Sequence, residues 1–188
     1  MKAEDAAGRH RKYAARFAAV VDGVDDWEAP SPVTGWTALS VVDHCTTWFP
    51  AFVHAGSPYG WTPRTSTLEA PALAWAEQTM AVQLILDDPA QADSAFHHPH
   101  LPRCTLAEAI DRFYTPDVFM HSWDLARAAG HDFELDTGYA ADLLAGLESM
   151  EETIRSSGQY GARVPVPDSA SVQERLLGFI GRDPHWMP

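Results

Sequence analysis

Ile110, Tyr114, Asp117, His121 and Leu125 follow one another at spacings of four, three, four and four, the repeat that places residues on one face of an α-helix. The seam is apolar at its ends and carries an acid and an imidazole at its centre. A chain that buries such a seam must also supply partners for the two ionisable groups, because an unpaired polar group in a core is costly. Asp117 and His121 lie a little over one turn apart, close enough to share a metal ion. If the two share a metal, a third ligand must come from elsewhere in the chain.

His44, in LSVVDHCTTW, is the best candidate for that third ligand. Val41, His44 and Trp48 share one helical face, with Leu39, Val42, Phe49 and Val53 beside it. Two histidines and one carboxylate leave coordination positions open for water or substrate, the arrangement of a reactive metal site and not of a closed structural one. Plainer accounts remain at this stage. A side-chain hydrogen bond explains an Asp-x-x-x-His pair equally well, and a satisfied core histidine explains His44.

The rest of the chain reads as helix with no convincing strand. The expected helices cover residues 3–24, with Tyr13, Phe17, Val20, Val21 and Val24 as the apolar stripe, then 38–55 behind Thr37 as N-cap, where Pro50 should kink or end the helix. A third covers 68–87 with Leu73, Met80 and Leu84 buried. A fourth covers 105–127, opened by a Thr105/Glu108 capping box and closed by Gly130. Pro116 either loosens that helix before Asp117 or starts a separate one capped by Thr115. A fifth covers 137–156, capped by Asp136 and stopped by Gly158, and Ser171 with Glu174 opens a short helix ending at Gly181. The expected architecture is an all-α four-helix bundle with an additional short C-terminal helix, forming one domain over residues 1–188.

Composition narrows the function. A formal net charge of −13, from 13 basic and 26 acidic residues, argues against nucleic-acid binding. The basic cluster Arg9 to Lys12 with Arg16 reads as a solvated helix face. Two cysteines, Cys45 and Cys104, make no disulfide framework and suit a reducing compartment. No apolar run of about 20 residues is present, and the first residues lack the apolar segment of a signal peptide. A cytoplasmic protein with no membrane association is the expectation.

Taken together, SPVTGWTALSVVDHCTTWFPAF, FYTPDVFMHSWDLARAAG, SGQYGARVPVP and LLGFIGRDPHW resemble the actinobacterial branch of the DinB/YfiT-like metal-binding superfamily. That branch is grouped with the metal-binding domain of mycothiol-dependent maleylpyruvate isomerase. The resemblance runs over nearly the whole chain. It implies a DinB-like four-helix bundle and a divalent metal, usually zinc or nickel, on the residues matching His44, Asp117 and His121, and it favours a homodimer. The chain departs from the isomerase in having Asp117 where that enzyme has glutamate, which calls for a closer metal or monodentate coordination. A chain ending at Pro188 also leaves no room for the isomerase's second domain, so isomerisation of maleylpyruvate is not expected. What the resemblance implies instead is a metal-dependent transferase that activates a low-molecular-weight thiol, such as mycothiol as cosubstrate, against a small-molecule electrophile. A non-catalytic metal and small-ligand binding or sensing module, or a metal-dependent hydrolase, are the alternatives.

Several further residues sit near this expected site. Tyr114 can donate to a bound group, although core packing is the simpler account, and Asp124 can accept the spare N–H of a ligating histidine or make an intrahelical contact. Trp36, Trp48 and Trp61 can wall a pocket or fill core, and Trp123 packs. Arg182 either pairs with Asp183 at the surface or reaches over the pocket to an anionic substrate. Cys45 points away from the face of His44. His97, His98 and His100, with Pro99 between them, read as an exposed loop more simply than as a metal tract.

Overall fold

The computed structural model describes residues 5–99 and 101–188, apart from the side chain of Ser157. Among the described residues the protein is all-α apart from one pair of two-residue strands. Helix α1 (Ala6–Val21) starts where the Asp5 carboxylate accepts from Gly8 N, and it buries His10, Tyr13, Ala14, Phe17, Val20 and Val21. The part of the expected first helix before Asp5 lies outside the described residues, and its end at Val24 is replaced by a turn after Val21. Helix α2 (Ala38–Gly56) opens on a capping box between Thr37 and Ser40. It runs through Pro50 without ending. The lost backbone bond is offset because Cys45, Phe49, Pro50 and Val53, on both sides of that point, are all buried.

Helix α3 (Pro71–Asp87) begins with proline in its first turn, three residues later than expected, and it turns its other face inward. Leu73, Met80 and Leu84 are 54%, 58% and 63% exposed, while Ala74, Trp75, Gln78, Val82, Ile85 and Leu86 are buried. The correction has a physical cause. Both faces of PALAWAEQTMAVQLILD are apolar, so periodicity cannot choose between them, and the large Trp75 ring decides by packing 4.3 Å from that of Phe17.

A short α4 (Pro89–Ala92) leads into β1 (Ala95–Phe96), which pairs antiparallel with β2 (Cys104–Thr105) and ties down the ends of the histidine-bearing loop. The fourth expected helix is one helical run in three parts: α5 (Leu106–Ala109) behind the Thr105/Glu108 box, a π-helical turn over Ile110–Tyr114, and α6 (Thr115–Ala128). Thr115 is not a cap; it is helical and buried. Gly130, at φ 75°, follows the end of α6. The fifth expected helix is split into α7 (Thr137–Ser149) and α8 (Glu151–Ser157), with Met150 non-helical at the break. There the Ser149 hydroxyl donates to the carbonyl of Gly146 and competes with the helix ladder. Helix α9 (Val172–Phe179) carries the Ser171/Glu174 box and ends in a turn at Gly181, φ 85°.

Helices α1 and α2 each pack against both α3 and α6, and α7 packs against α9. Two apolar cores result. Phe17, Phe49, Trp75, Leu106 and Tyr114 belong to the first, and Tyr13, Phe119, Trp123, Leu144, Leu176 and Phe179 to the second. Helix α6 serves both, and every residue from Thr115 to Ala126 except Asp117 is buried. No described helix is long and apolar enough to cross a membrane.

Candidate metal centre

The break in the burial of α6 is the site. The π turn widens the helix just before Pro116, where the missing N–H would otherwise interrupt an ordinary ladder, and Asp117 follows. Opposite it, the uninterrupted α2 presents His44 and, one turn on, Trp48. His44 Nε2 lies 3.1 Å from Asp117 Oδ2, and His121 Nε2 lies 3.4 Å from Asp117 Oδ1. One potential ligand atom from each of the three residues falls within 4.8 Å of the others, and among the described residues this is the group found to have that property.

The donor set fits a metal. Zinc bonds of about 2.0–2.2 Å put neighbouring tetrahedral ligand atoms about 3.3–3.6 Å apart, and the separations from Asp117 are already on that scale. Trp48 Nε1 donates to Asp117 Oδ2 at 3.0 Å, which suits coordination through a single carboxylate oxygen. On the far side, His121 Nδ1 lies 2.9 Å from Asp124 Oδ2. A proton held there leaves the Nε2 lone pair for the metal, as carboxylate–histidine pairs do in metal sites. Asp124 is in turn gripped by Arg182, with Nε donating to Oδ1 at 2.9 Å and Nη2 to Oδ2 at 3.0 Å.

Exposure rises steadily across the site. The side chains of Asp124, His121, Asp117 and His44 are 0%, 8%, 20% and 31% exposed, so the centre is closed at the Asp124 end and open at His44. The Trp36 ring covers part of that side, 5.7 Å from the ring of His121 and 5.1 Å from that of His44. Backbone bonds from Ser31 N to Trp36 O and from Ala38 N to Ala29 O fold the loop carrying Trp36 back on itself.

Electrostatics in the metal-free protein follow from this geometry. Burial pushes the Asp117 carboxyl up, but the charge of His121 and hydrogen bonds with His121 and His44 outweigh it and hold the group well below the usual carboxylate range. Burial pushes His121 down, yet Asp117 and then Asp124 carry it up to about 9. Burial likewise raises Asp124, but the His121 hydrogen bond and the Arg182 charge prevail and lower it. A metal must therefore displace a proton from His121.

The other candidates fall elsewhere. Tyr114 is fully buried; its hydroxyl donates to Cys45 O at 3.0 Å and accepts from Gln78 Nε2 at 3.1 Å, so it is core and does not reach the open side. Cys45 is fully buried, and burial pushes its thiol well above the ordinary range. Arg182 neither pairs with Asp183 at the surface nor reaches over the pocket: it is turned inward onto Asp124, 58 residues away in sequence. Trp61 lines a separate groove of about 1030 Å³ between α2, residues 61–68 and α3, which takes Asp43, Thr46 and Thr47 from α2 and not His44. Trp123 belongs to the second core. His97 is exposed and His98 half-buried against Phe52 and Phe96, neither belongs to the candidate ligand group, and His100 lies outside the described residues.

Sequence reasoning missed two things. The Arg182–Asp124 contact joins distant segments, and no local spacing announces it. Tyr160, within SGQYGARVPVP, is near enough for the charges of Asp117 and Arg182 to act on its phenol, which burial raises.

No protein-family profile matches the chain, and no solved structure matches it. It is similar to a protein of Mycobacterium tuberculosis described as uncharacterized, found in strains CDC 1551 / Oshkosh and ATCC 25618 / H37Rv. In each case the chains are 27% identical over 187 residues, covering 92% of this chain and 95% of the relative.

Proposed function

We propose that this protein is a DinB-like four-helix bundle, built on α1, α2, α3 and α6, that holds a divalent metal on His44, Asp117 and His121. Its function is that of a metal-dependent transferase activating a low-molecular-weight thiol, of the mycothiol kind, against a small electrophile. The observation that carries this reading is the convergence of three ligand atoms within 4.8 Å from two helices, with one end of the set open. The packing of α1 and α2 each against both α3 and α6 supports the bundle. A divalent metal bound here would supply Lewis acidity that lowers the pKa of a thiol. His44, Asp117 and His121 would hold it, Trp48 and Asp124 would orient the ligands, and the Trp36 ring lies beside both imidazoles while leaving His44 partly open to water.

Two features support an external thiol and an electrophile without strong negative charge. Cys45, next in sequence to His44, is buried with its thiol pushed well above the ordinary range, so it does not serve as the nucleophile. The guanidinium of Arg182 is committed to Asp124 and to the carbonyl of Ile180 and does not offer its charge to a dianion such as maleylpyruvate.

The test is elemental analysis of untagged protein purified without chelator, followed by assay of the metal-loaded protein with a low-molecular-weight thiol and a panel of epoxides, quinones and haloarenes. About one equivalent of zinc or nickel and thiol-dependent consumption of an electrophile are expected. One equivalent of metal with no turnover across the panel removes the transferase and leaves a binding module. No metal uptake, even after reconstitution with zinc or nickel, removes the metal centre.

A further inference from the structure

We infer that Arg182 is a positioning residue of the metal centre, acting through Asp124 to fix the direction and donor strength of His121. The inference rests on His44, Asp117 and His121 being metal ligands. Asp124 is completely buried, yet each of its oxygens is engaged: Oδ1 by Arg182 Nε at 2.9 Å, and Oδ2 by Arg182 Nη2 at 3.0 Å and His121 Nδ1 at 2.9 Å. Two parallel bonds from one planar guanidinium fix the plane of the carboxylate as well as its position. A fixed carboxylate fixes the imidazole that bonds to it, and so aims Nε2 at the position shared with Asp117, 3.4 Å away. The shared oxygen also sets donor strength. A lone buried carboxylate would draw strongly on the Nδ1 proton, and Arg182 takes up part of that negative charge.

The arm that does this is itself anchored. Arg182 Nη1 donates to Ile180 O at 3.2 Å and its backbone N to Leu177 O at 2.8 Å, so the guanidinium is held from the end of α9. The turn that delivers it passes through Gly181, where a Cβ would come within 2.8 Å of the backbone of Gly161. The chain's last helix thus closes the inner end of the centre, opposite the open end at His44.

The test uses the full chain loaded with Co²⁺, comparing wild type with Arg182→Gln and Arg182→Lys. Affinity is read by chelator competition and ligand geometry by the visible absorption of the bound Co²⁺. Arg182→Gln is expected to bind about 10–100-fold more weakly with a shifted absorption band, and Arg182→Lys to recover part of the affinity, since it keeps the charge and loses the fork. A merely structural brace lowers the thermal stability of the metal-free variant but leaves affinity and spectrum unchanged; that result overturns the inference while the metal centre stands. Wild type that takes up no Co²⁺ overturns the metal centre and the inference with it. If Arg182→Gln does not fold, Arg182→Gln combined with Asp124→Asn removes both charges of the ion pair together. The double variant is expected to show a loss of the same size, and wild-type affinity in it overturns the role.

Discussion

His10 and His121 are both buried histidines on core-facing stripes of helices, 1% and 6% exposed, and burial disfavours the charged form of each. They end in opposite states. His10 meets a neutral amide, Gln83 Oε1 at 2.9 Å from Nδ1, and its Nε2 has no hydrogen-bond partner among the described residues. Desolvation wins there and its pKa falls. His121 meets a carboxylate at each nitrogen, and charge overcomes desolvation. The difference teaches that burial of an imidazole on an apolar seam does not make a site. Two opposed carboxylates on its own helix and a second imidazole from another helix are what set His121 apart.

The largest expected effect breaks the pair apart on metal content. Elemental analysis should give about one equivalent in wild type, close to none in His121→Ala and His44→Ala, and about one in His10→Gln. A loss of metal in His10→Gln, or its retention in both ligand variants, abolishes the distinction. Next in size, Asp117→Asn removes the charge that contributes most to raising His121. NMR titration of the metal-free variant should show the His121 pKa well below about 9, with His10 unmoved.

The two histidines should also mark opposite limbs of the pH–stability curve of metal-free protein. For His121 the folded pKa is raised from 6.5 to about 9, so its contribution is complete below pH 6.5 and is lost as pH rises through about 9. That loss is on the order of 1–3 kcal/mol. Chemical denaturation across this range should show the decline in wild type and a flatter limb in His121→Gln. His10 acts with the other sign: its folded pKa is lowered, so the unfolded chain takes up its proton first and stability falls as pH drops below 6.5. His10→Gln should remove only the onset of that fall, the smallest of these effects. The lowered carboxyls of Asp117 and Asp124 still drive the loss at more acidic pH.

The parts legible from sequence are those fixed by local geometry. Thr37, Thr105, Asp136 and Ser171 cap the helices they were expected to cap, because a cap is a contact between residues three apart. Asp117 and His121 share a face for the same reason, and His44 stands opposite because its own helix has a single polar break in an apolar seam. Where two local solutions were equal, sequence could not choose. The two apolar faces of α3 are one such case, and Pro116 as a loosened turn or a helix start is another, settled by a π turn that satisfies neither description fully. The Arg182–Asp124 contact was illegible for a third reason. An adjacent acid, Asp183, offered a simpler local partner, and only the docking of α9 shows that Asp183 instead accepts from His185 N.

The double burial of α6 has a consequence for how fast the centre can exchange its contents. A helix covered by two cores has no partial opening that exposes it, so its amide protons should exchange with solvent only as the whole molecule unfolds. Asp117 and His121 share that slow clock. His44 does not, since it stands on the exposed flank of α2 with nearly a third of its side chain in water. A metal held on the proposed ligands would therefore be released most readily on the His44 side, where one imidazole can rotate away from a rigid floor formed by α6.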